Sequence, residues 1–306
     1  MNNKDLVAVT SRSFSKNDQL IKELRSRYKK IKLNKEGKSL NGDSLITFLE
    51  DASKVIVGLE RFDEKVLSEL PKLKVISKYG VGLNNIDLTE IKKRDIKLGF
   101  TPGVNKRPVA ELALSLILTS LRGTHNSLNK IKAGEWSQER GNELFQKTVG
   151  ILGYGNIGSL LHELLKPFNC NILIFEENII NHQDINQTSL DDIAKRADII
   201  SIHLPLTDKT SYLIDEEFLN ACKEDIKIIN TSRGGIINED HLEKFLLKNN
   251  NAFAALDVFE NEPAFQSPLI NLKNFFATSH LGSMTEEGVI SMGLAAIDGL
   301  DQNSQK

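Results

Sequence analysis

The sequence predicts an α/β chain of two doubly wound, parallel-sheet domains, the first of them interrupted by the second. Three observations predict it. Strand-sized apolar runs alternate with helical patterns in two separate series, and such alternation requires crossover connections and therefore parallel strands. The 306 residues are roughly twice the length of an ordinary domain. A last helical pattern, over 285–300, arrives after the second series is complete and so returns to cover the first.

Each element has its own justification. The first series holds LVAVT at 6–10, the more polar KIKL at 30–33, VIVG at 55–58, KVIS at 74–77 and IKLGF at 96–100, with amphipathic helices near 18–28, 43–52 and 63–69. The second holds TVGIL at 148–152, ILIF at 172–175, IISIH at 199–203, KIIN at 227–230, FAAL at 253–256 and FFAT at 275–278, again with helices between. Between the series, 108–122 opens on Pro108, tolerated at a first helical position, carries Glu111 in its first turn and continues almost entirely apolar. A helix apolar on most faces must be buried, so this one links the domains and packs between domains or subunits. The tail from 301 is polar and expected to fray, and charge runs are expected to be no more than solvated helix faces.

Composition excludes several classes of function. The chain is 40% hydrophobic and 26% charged, so it can build a core. Its 39 Lys and Arg against 41 Asp and Glu leave a net charge of -2, without the cationic excess that phosphate-backbone binding needs; no nucleic-acid partner is expected. The apolar stretch 109–121 already contains Glu111 and is shorter than the ~20 residues that span a bilayer, so no membrane partner is expected either. The N-terminus lacks the apolar core of an export signal, which points to the cytoplasm. Cys170 and Cys222 stand far apart with no metal-ligand spacing, so neither a disulfide nor a metal site is predicted.

The chemistry begins at TVGILGYGNIG. Gly153, Gly155 and Gly158 follow a strand and open a helix, the setting in which glycines allow a tight turn, close approach to a pyrophosphate and close helix packing. The helix start adds N–H donors, with Asn156 and Ile157 in its first turn. At the end of the next strand stands Glu176, placed to accept both ribose hydroxyls of an adenosine. A 2'-phosphate about 4 Å away would be repelled by about 4 kcal/mol at an effective dielectric near 20. Glu177 adds a second negative charge and no Lys or Arg follows nearby in sequence. The cofactor predicted is NAD rather than NADP.

Further strings make the chain resemble the D-isomer-specific 2-hydroxyacid dehydrogenase family, particularly its phosphoglycerate-dehydrogenase-like branch. They are SKYGVGLNNIDL (77–88), FTPGVNKRPVAELAL (100–114), the glycine loop, HLPLT (203–207), INTSRGGIIN (229–238), ALDVFENEP (255–263) and TSHLGSMT (278–285). The resemblance implies two Rossmann/flavodoxin-like domains, with the NAD domain (102–280) inserted into a substrate domain made of 1–101 and 281–306. It implies reversible hydride transfer between NAD and C2 of a small D-2-hydroxyacid or 2-oxoacid. His280 then matches the acid/base, Glu262 the carboxylate that hydrogen-bonds it, and Arg233 the planar fork that holds the substrate carboxylate. His203, Pro205, Thr231, Ser232, Arg233, Asp257, His280 and Gly282 join the glycine loop and Glu176 as cofactor contacts, Asp257 on the nicotinamide carboxamide. Val81 and Gly82 match backbone donors to the substrate carboxylate.

Departures from the family pattern bear on the substrate. Ser279 replaces a common Pro, and Lys78 a common Arg. The loop GLERFDE carries Arg61 alone, beside Glu60, where phosphoglycerate enzymes carry several arginines. Arg61, Lys78 and Lys106 are expected to read an anionic or polar tail on the substrate. The chain ends 26 residues after His280, so no C-terminal regulatory domain is expected. Two alternatives share the fold: formate dehydrogenase, which resembles this pattern but for Gln at the Glu262 position, and an NAD(H)-sensing protein of the C-terminal-binding-protein type. The linker helix and NKIKAGEWSQERGNELF, with Trp136, resemble the family's dimerisation region and imply a homodimer.

Overall fold

The computed structural model describes residues 2–180 and 185–303. The chain divides into two compact units, Met1–Asn105 with Met284–Lys306, and Lys106–Ser283. Both are built on wholly parallel sheets, as the alternation of apolar runs and helices requires.

In the first unit the elements run β1 (Asn2–Val9), α1 (Asp18–Arg27), β2 (Tyr28–Leu33), α2 (Gly42–Leu49), β3 (Lys54–Val57), α3 (Glu64–Ser68), β4 (Val75–Lys78), α4 (Leu88–Lys93) and β5 (Lys97–Gly99). Sheet order is β2-β1-β3-β4-β5. Side-chain oxygens of Asn17, Asp63 and Asp87 accept first-turn N–H groups and fix where α1, α3 and α4 begin. One further helix comes from the far end of the chain. Its buried Met292, Ala296 and Ile297 pack in this unit, and Ser77 donates a 2.6 Å hydrogen bond to the Ala296 carbonyl. A Cβ on Gly99 would stand 2.2 Å from the Gly299 carbonyl oxygen, so only glycines permit this backbone crossing.

The second unit opens with α5 (Lys106–Arg122) and α6 (Thr124–Lys132) and continues through β6 (Thr148–Leu152), α7 (Asn156–Leu165), β7 (Asn171–Phe175), α8 (Leu190–Arg196), β8 (Ile199–Ile202), α9 (Glu216–Ala221), β9 (Lys227–Asn230), α10 (Glu239–Lys248), β10 (Phe253–Leu256) and β11 (Phe275–Ala277). The returning helix of the first unit is α11 (Glu286–Gly299). The second sheet reads β11-β10-β9-β8-β6-β7, with Gln187 bridging Ile174 on the outer side of β7. Helices cover both faces, so the strands alternate between two cores. Ile228, Ala254 and Leu256 enter one, and Ile229, Phe253 and Ala255 the other. The strand order reverses at β6, which opens a crevice beyond its carboxyl end.

Two expectations need correction. Helix α5 starts at Lys106, two residues before Pro108, whose missing N–H still falls in the first turn where no intrahelical acceptor exists. Its burial is one-sided: Val109, Ala110, Ala113, Leu116, Ile117 and Leu121 are buried, whereas Leu114 and Leu118 line an open groove of about 390 Å³. Charge runs are also more than helix faces. Residues 22–38 hold eight Lys and Arg against Glu23 and Glu36, and part of that run is strand β2. Among the described residues no helix is long and apolar enough to cross a membrane.

Candidate active site

The glycine loop sits at the switch point. Gly153 has φ 95°, a left-handed conformation, and a Cβ there would stand 2.9 Å from the His203 backbone. A Cβ on Gly158 would meet the Gly153 carbonyl oxygen at 2.0 Å, which seats α7 directly on the loop. Around Gly155 the opposite holds, since a Cβ there would find nothing within 4 Å. Gly155 is also the N-cap of α7 and has no side chain to accept the first-turn N–H groups of Asn156, Ile157 and Gly158. Open space, free donors and the positive helix end together fit a pyrophosphate.

Glu176, at the end of β7, is held beside this loop. Its two carboxylate oxygens accept N–H groups of Tyr154 (2.8 Å) and Glu177 (3.0 Å), and each oxygen keeps acceptor capacity. Glu177 is paired with Lys209, a cation brought in from the loop after β8. The sequence shows no neighbouring cation because Lys209 lies 32 positions away. His203 supports the loop from behind. Its N–H donates to the Leu152 carbonyl at 2.7 Å, its ring is 2.9 Å from the Ser201 hydroxyl, and burial pushes its pKa down to about 3. The neutral ring is thus part of the loop's bed. Pro205 is exposed in the following loop.

The catalytic candidates converge in the second unit. Asn230, at the end of β9, folds the next turn around itself: its Oδ1 accepts the Ser232 N–H (3.0 Å) and hydroxyl (2.7 Å), while its Nδ2 donates to the Arg233 carbonyl (2.9 Å). That turn presents Arg233, whose pKa burial lowers and whose charge Glu262 favours. Thr231 Oγ1 is buried without a hydrogen-bond partner among the described residues. A Cβ on Gly234 would stand 1.9 Å from the Phe259 carbonyl oxygen, so glycine lets the Arg233 turn press against the turn that carries Glu262. Glu262 accepts the Phe259 N–H through Oε1 (3.1 Å) and lies 2.8 Å from His280 Nδ1 through Oε2. The Nδ1 contact leaves Nε2 as the ring nitrogen not tied to Glu262.

His280 itself has φ 56°, rare for a side chain with a Cβ. Asp257 holds it there. The buried Asp257 carboxylate accepts the Thr278 hydroxyl (2.6 Å) and the N–H groups of Leu281 (2.6 Å) and Gly282 (2.9 Å), and its carbonyl accepts the His280 N–H (2.9 Å). These bonds give Asp257 the task of shaping the histidine turn. Asn230 and this work of Asp257 went unread in the sequence, because both are local turn networks visible only once the strand ends are aligned.

In the first unit, Val81 and Gly82 follow β4 in a turn opened by Gly80 at φ 120°. Lys78 is buried, and its ammonium donates to the Gly58 carbonyl (2.5 Å) and Asn85 Oδ1 (2.8 Å), bracing the turns after β3 and β4. Glu60 points inward, accepting the Gly58 N–H (2.9 Å) and the Thr10 hydroxyl (2.7 Å). Arg61 is exposed, 3.6 Å from Asp63. Lys106 and Arg107 are exposed on the first turn of α5, Arg107 lying 3.5 Å from Glu111. Of the three cations expected to read a substrate tail, Lys78 is built into its turn, whereas Arg61 and Lys106 are exposed.

Comparison with known proteins agrees with this arrangement. Residues 114–282 match the family model of the D-isomer specific 2-hydroxyacid dehydrogenase NAD binding domain. Hydroxypyruvate reductase of Thermotoga maritima is 32% identical over 297 residues, covering 92% of this chain and 95% of its own. D-3-phosphoglycerate dehydrogenase of Methanocaldococcus jannaschii is 35% identical over 83% of this chain, which spans only half the length of that relative. The NAD+-bound crystal structure of 3-phosphoglycerate dehydrogenase from Entamoeba histolytica superposes with a TM-score of 0.81 at 26% identity, covering 96% of this chain and 93% of that one. With its glycine loop, the Glu176 carboxylate at the end of β7 and the His280–Glu262 pair, the chain belongs to the D-isomer-specific 2-hydroxyacid dehydrogenase family of NAD-dependent oxidoreductases.

Proposed function

We propose that this enzyme interconverts a small D-2-hydroxyacid and its 2-oxoacid, with Arg233, Glu262 and His280 as its catalytic residues. The observation that carries the proposal is the 2.8 Å His280–Glu262 pair, pressed against the Arg233 turn through Gly234. Gly153, Gly155, Gly158, Asn156 and Ile157 hold the cofactor pyrophosphate, Glu176 its ribose, and Thr231, Ser232 and Gly282 line the same sheet end. When bound, the nicotinamide supplies the two-electron hydride acceptor or donor. His280 takes the hydroxyl proton as the C2–H electron pair leaves, and returns it to the carbonyl oxygen in reduction. Glu262 stabilises the protonated ring during that exchange. Arg233 holds the substrate carboxylate.

The tail favours a compact, unphosphorylated substrate of the glyoxylate or hydroxypyruvate kind. Support comes from Glu60 turned into the turn after β3, from Lys78 committed to two acceptors, and from Arg61 facing Asp63. Steady-state NADH oxidation with glyoxylate, hydroxypyruvate and phosphohydroxypyruvate tests this. A higher kcat/KM for the phosphorylated acid would overturn the choice of tail, whereas NADH binding without turnover of any 2-oxoacid in a wider panel would favour an NAD(H) sensor. Glu262 speaks against formate dehydrogenase.

We also propose a homodimer through the second unit. Leu128, Ile131, Phe145 and Trp136, the last 84% exposed, present apolar surface on this unit, as does the α5 groove lined by Leu114, Leu118 and Leu164. Apolar surface on this scale is normally covered. The free Cys170 and Cys222 thiols, pushed up to about 11 and about 12 by burial, suit a reducing cytoplasm.

A further inference from the structure

We propose that the outer edge of β2 is a docking groove for an extended acidic peptide segment of a partner protein, which adds to the first sheet as a further strand. Strand β2 pairs only with β1, so one row of its backbone N–H and C=O groups has no strand partner. Beside that edge runs a groove of about 550 Å³ between α1 and β2. Ile31 and Leu33, both partly buried, form its floor, and Arg25, Lys29 and Lys35 form its rim. Alternation along the strand sets Lys29, Ile31 and Leu33 on one face, with Lys35 in the turn just beyond its end, which suits the period of an incoming strand.

Charge identifies the occupant. Residues 22–38 carry a net charge of +6, eight basic against two acidic, in a chain whose total is -2. Arg27 is spent on Glu23 and Asp298, and Lys38 on Glu36. Arg25, Lys29, Lys30 and Lys35 have no acidic partner among the described residues, so the groove keeps an uncompensated positive field. Lysines along a free edge repel a second copy of the same strand, the usual protection against self-pairing. The same charges attract a strand of opposite sign, whose backbone completes the ladder and whose apolar side chains meet Ile31 and Leu33. A surface serving a nucleic acid or lipid headgroup would need the cations alone, not the apolar floor and the open ladder.

The test uses the full-length protein and a fluorescein-labelled octapeptide, Glu-Ser-Val-Ser-Val-Ser-Glu-Ser, whose Glu and Val side chains share one face of an extended strand, followed by anisotropy and by amide hydrogen exchange. The expected result is binding that weakens with salt, with slowed exchange of the 28–33 amides, and with affinity at least roughly tenfold lower in R25E/K29E/K35E. Dehydrogenase activity of that variant should be unchanged; if it does not fold, R25Q/K29Q/K35Q carries the same comparison. No binding, binding without protection of β2, or binding that survives loss of the charges would overturn the proposal. So would preferential binding of a dT20 oligonucleotide or of phosphatidylserine vesicles at the same groove.

Discussion

His280 is the residue on which the proposed chemistry concentrates, and its left-handed backbone shows how little freedom it has. Replacing it by Asn should leave the fold and NADH binding intact while kcat falls by about 10²- to 10⁴-fold, the usual worth of a general acid/base. Stopped-flow reduction with a NADH titration as control measures both. Arg233→Lys keeps the charge but loses the fork, so KM for the 2-oxoacid should rise by roughly tenfold or more with NADH affinity unchanged. His203 makes a prediction about stability. Its pKa falls from 6.5 to about 3 in the folded protein because burial disfavours the charged ring. The unfolded chain therefore binds a proton below about 6.5 that the native state refuses, and stability drops as pH falls through that window, by up to about 1.4 kcal/mol per unit. Denaturant midpoints between pH 7 and 4 should show this slope, and H203Q should flatten it.

At the scale of elements, glycines decide which turns can touch. Gly234→Ala should force the Arg233 and Glu262 turns apart, since its Cβ would stand 1.9 Å from the Phe259 carbonyl oxygen. A loss of kcat/KM larger than the loss of Tm would mark separation of catalytic groups, and an unchanged enzyme would refute the close approach. Gly299→Ala should act only on stability, by about 1–3 kcal/mol, because its Cβ would lie 2.4 Å from Ser77 Oγ, within the first unit. What the sequence revealed at this scale follows physical reach. Apolar runs such as IISIH and FAAL are self-sufficient signals of buried strands, and the glycine spacing is a local necessity of the turn. Asn230 and Asp257 are different: their hydrogen bonds join residues to turns whose shape depends on neighbouring strands. The Lys209–Glu177 pair and the burial of Lys78 were hidden for the same reason, since their partners lie on other connections.

At the scale of the whole molecule, the proposed dimer and the charge distribution are what the sums conceal. The single tryptophan, Trp136, makes the proposed dimer easy to test, because it is exposed in the isolated chain. Its emission should shift to the blue as protein is concentrated through the dimerisation range, in step with sedimentation velocity. Emission typical of water-exposed indole at every concentration would refute burial at an interface. The near-zero net charge likewise hides a basic edge on β2 and an acidic pair at Glu176 and Glu177.

The return of α11 has one more consequence, in the order of events on the ribosome. The second unit is continuous, and every residue it needs has been made once Ser283 is synthesised. The first unit, begun earlier, still lacks Ala296, Ile297 and Leu300 of its own core and the Lys54–Asp301 ion pair at 2.8 Å. Domains made during synthesis usually fold from the N-terminus onward. Here the arrangement predicts the reverse: the second unit has all its residues before the first, whose core still needs those of α11.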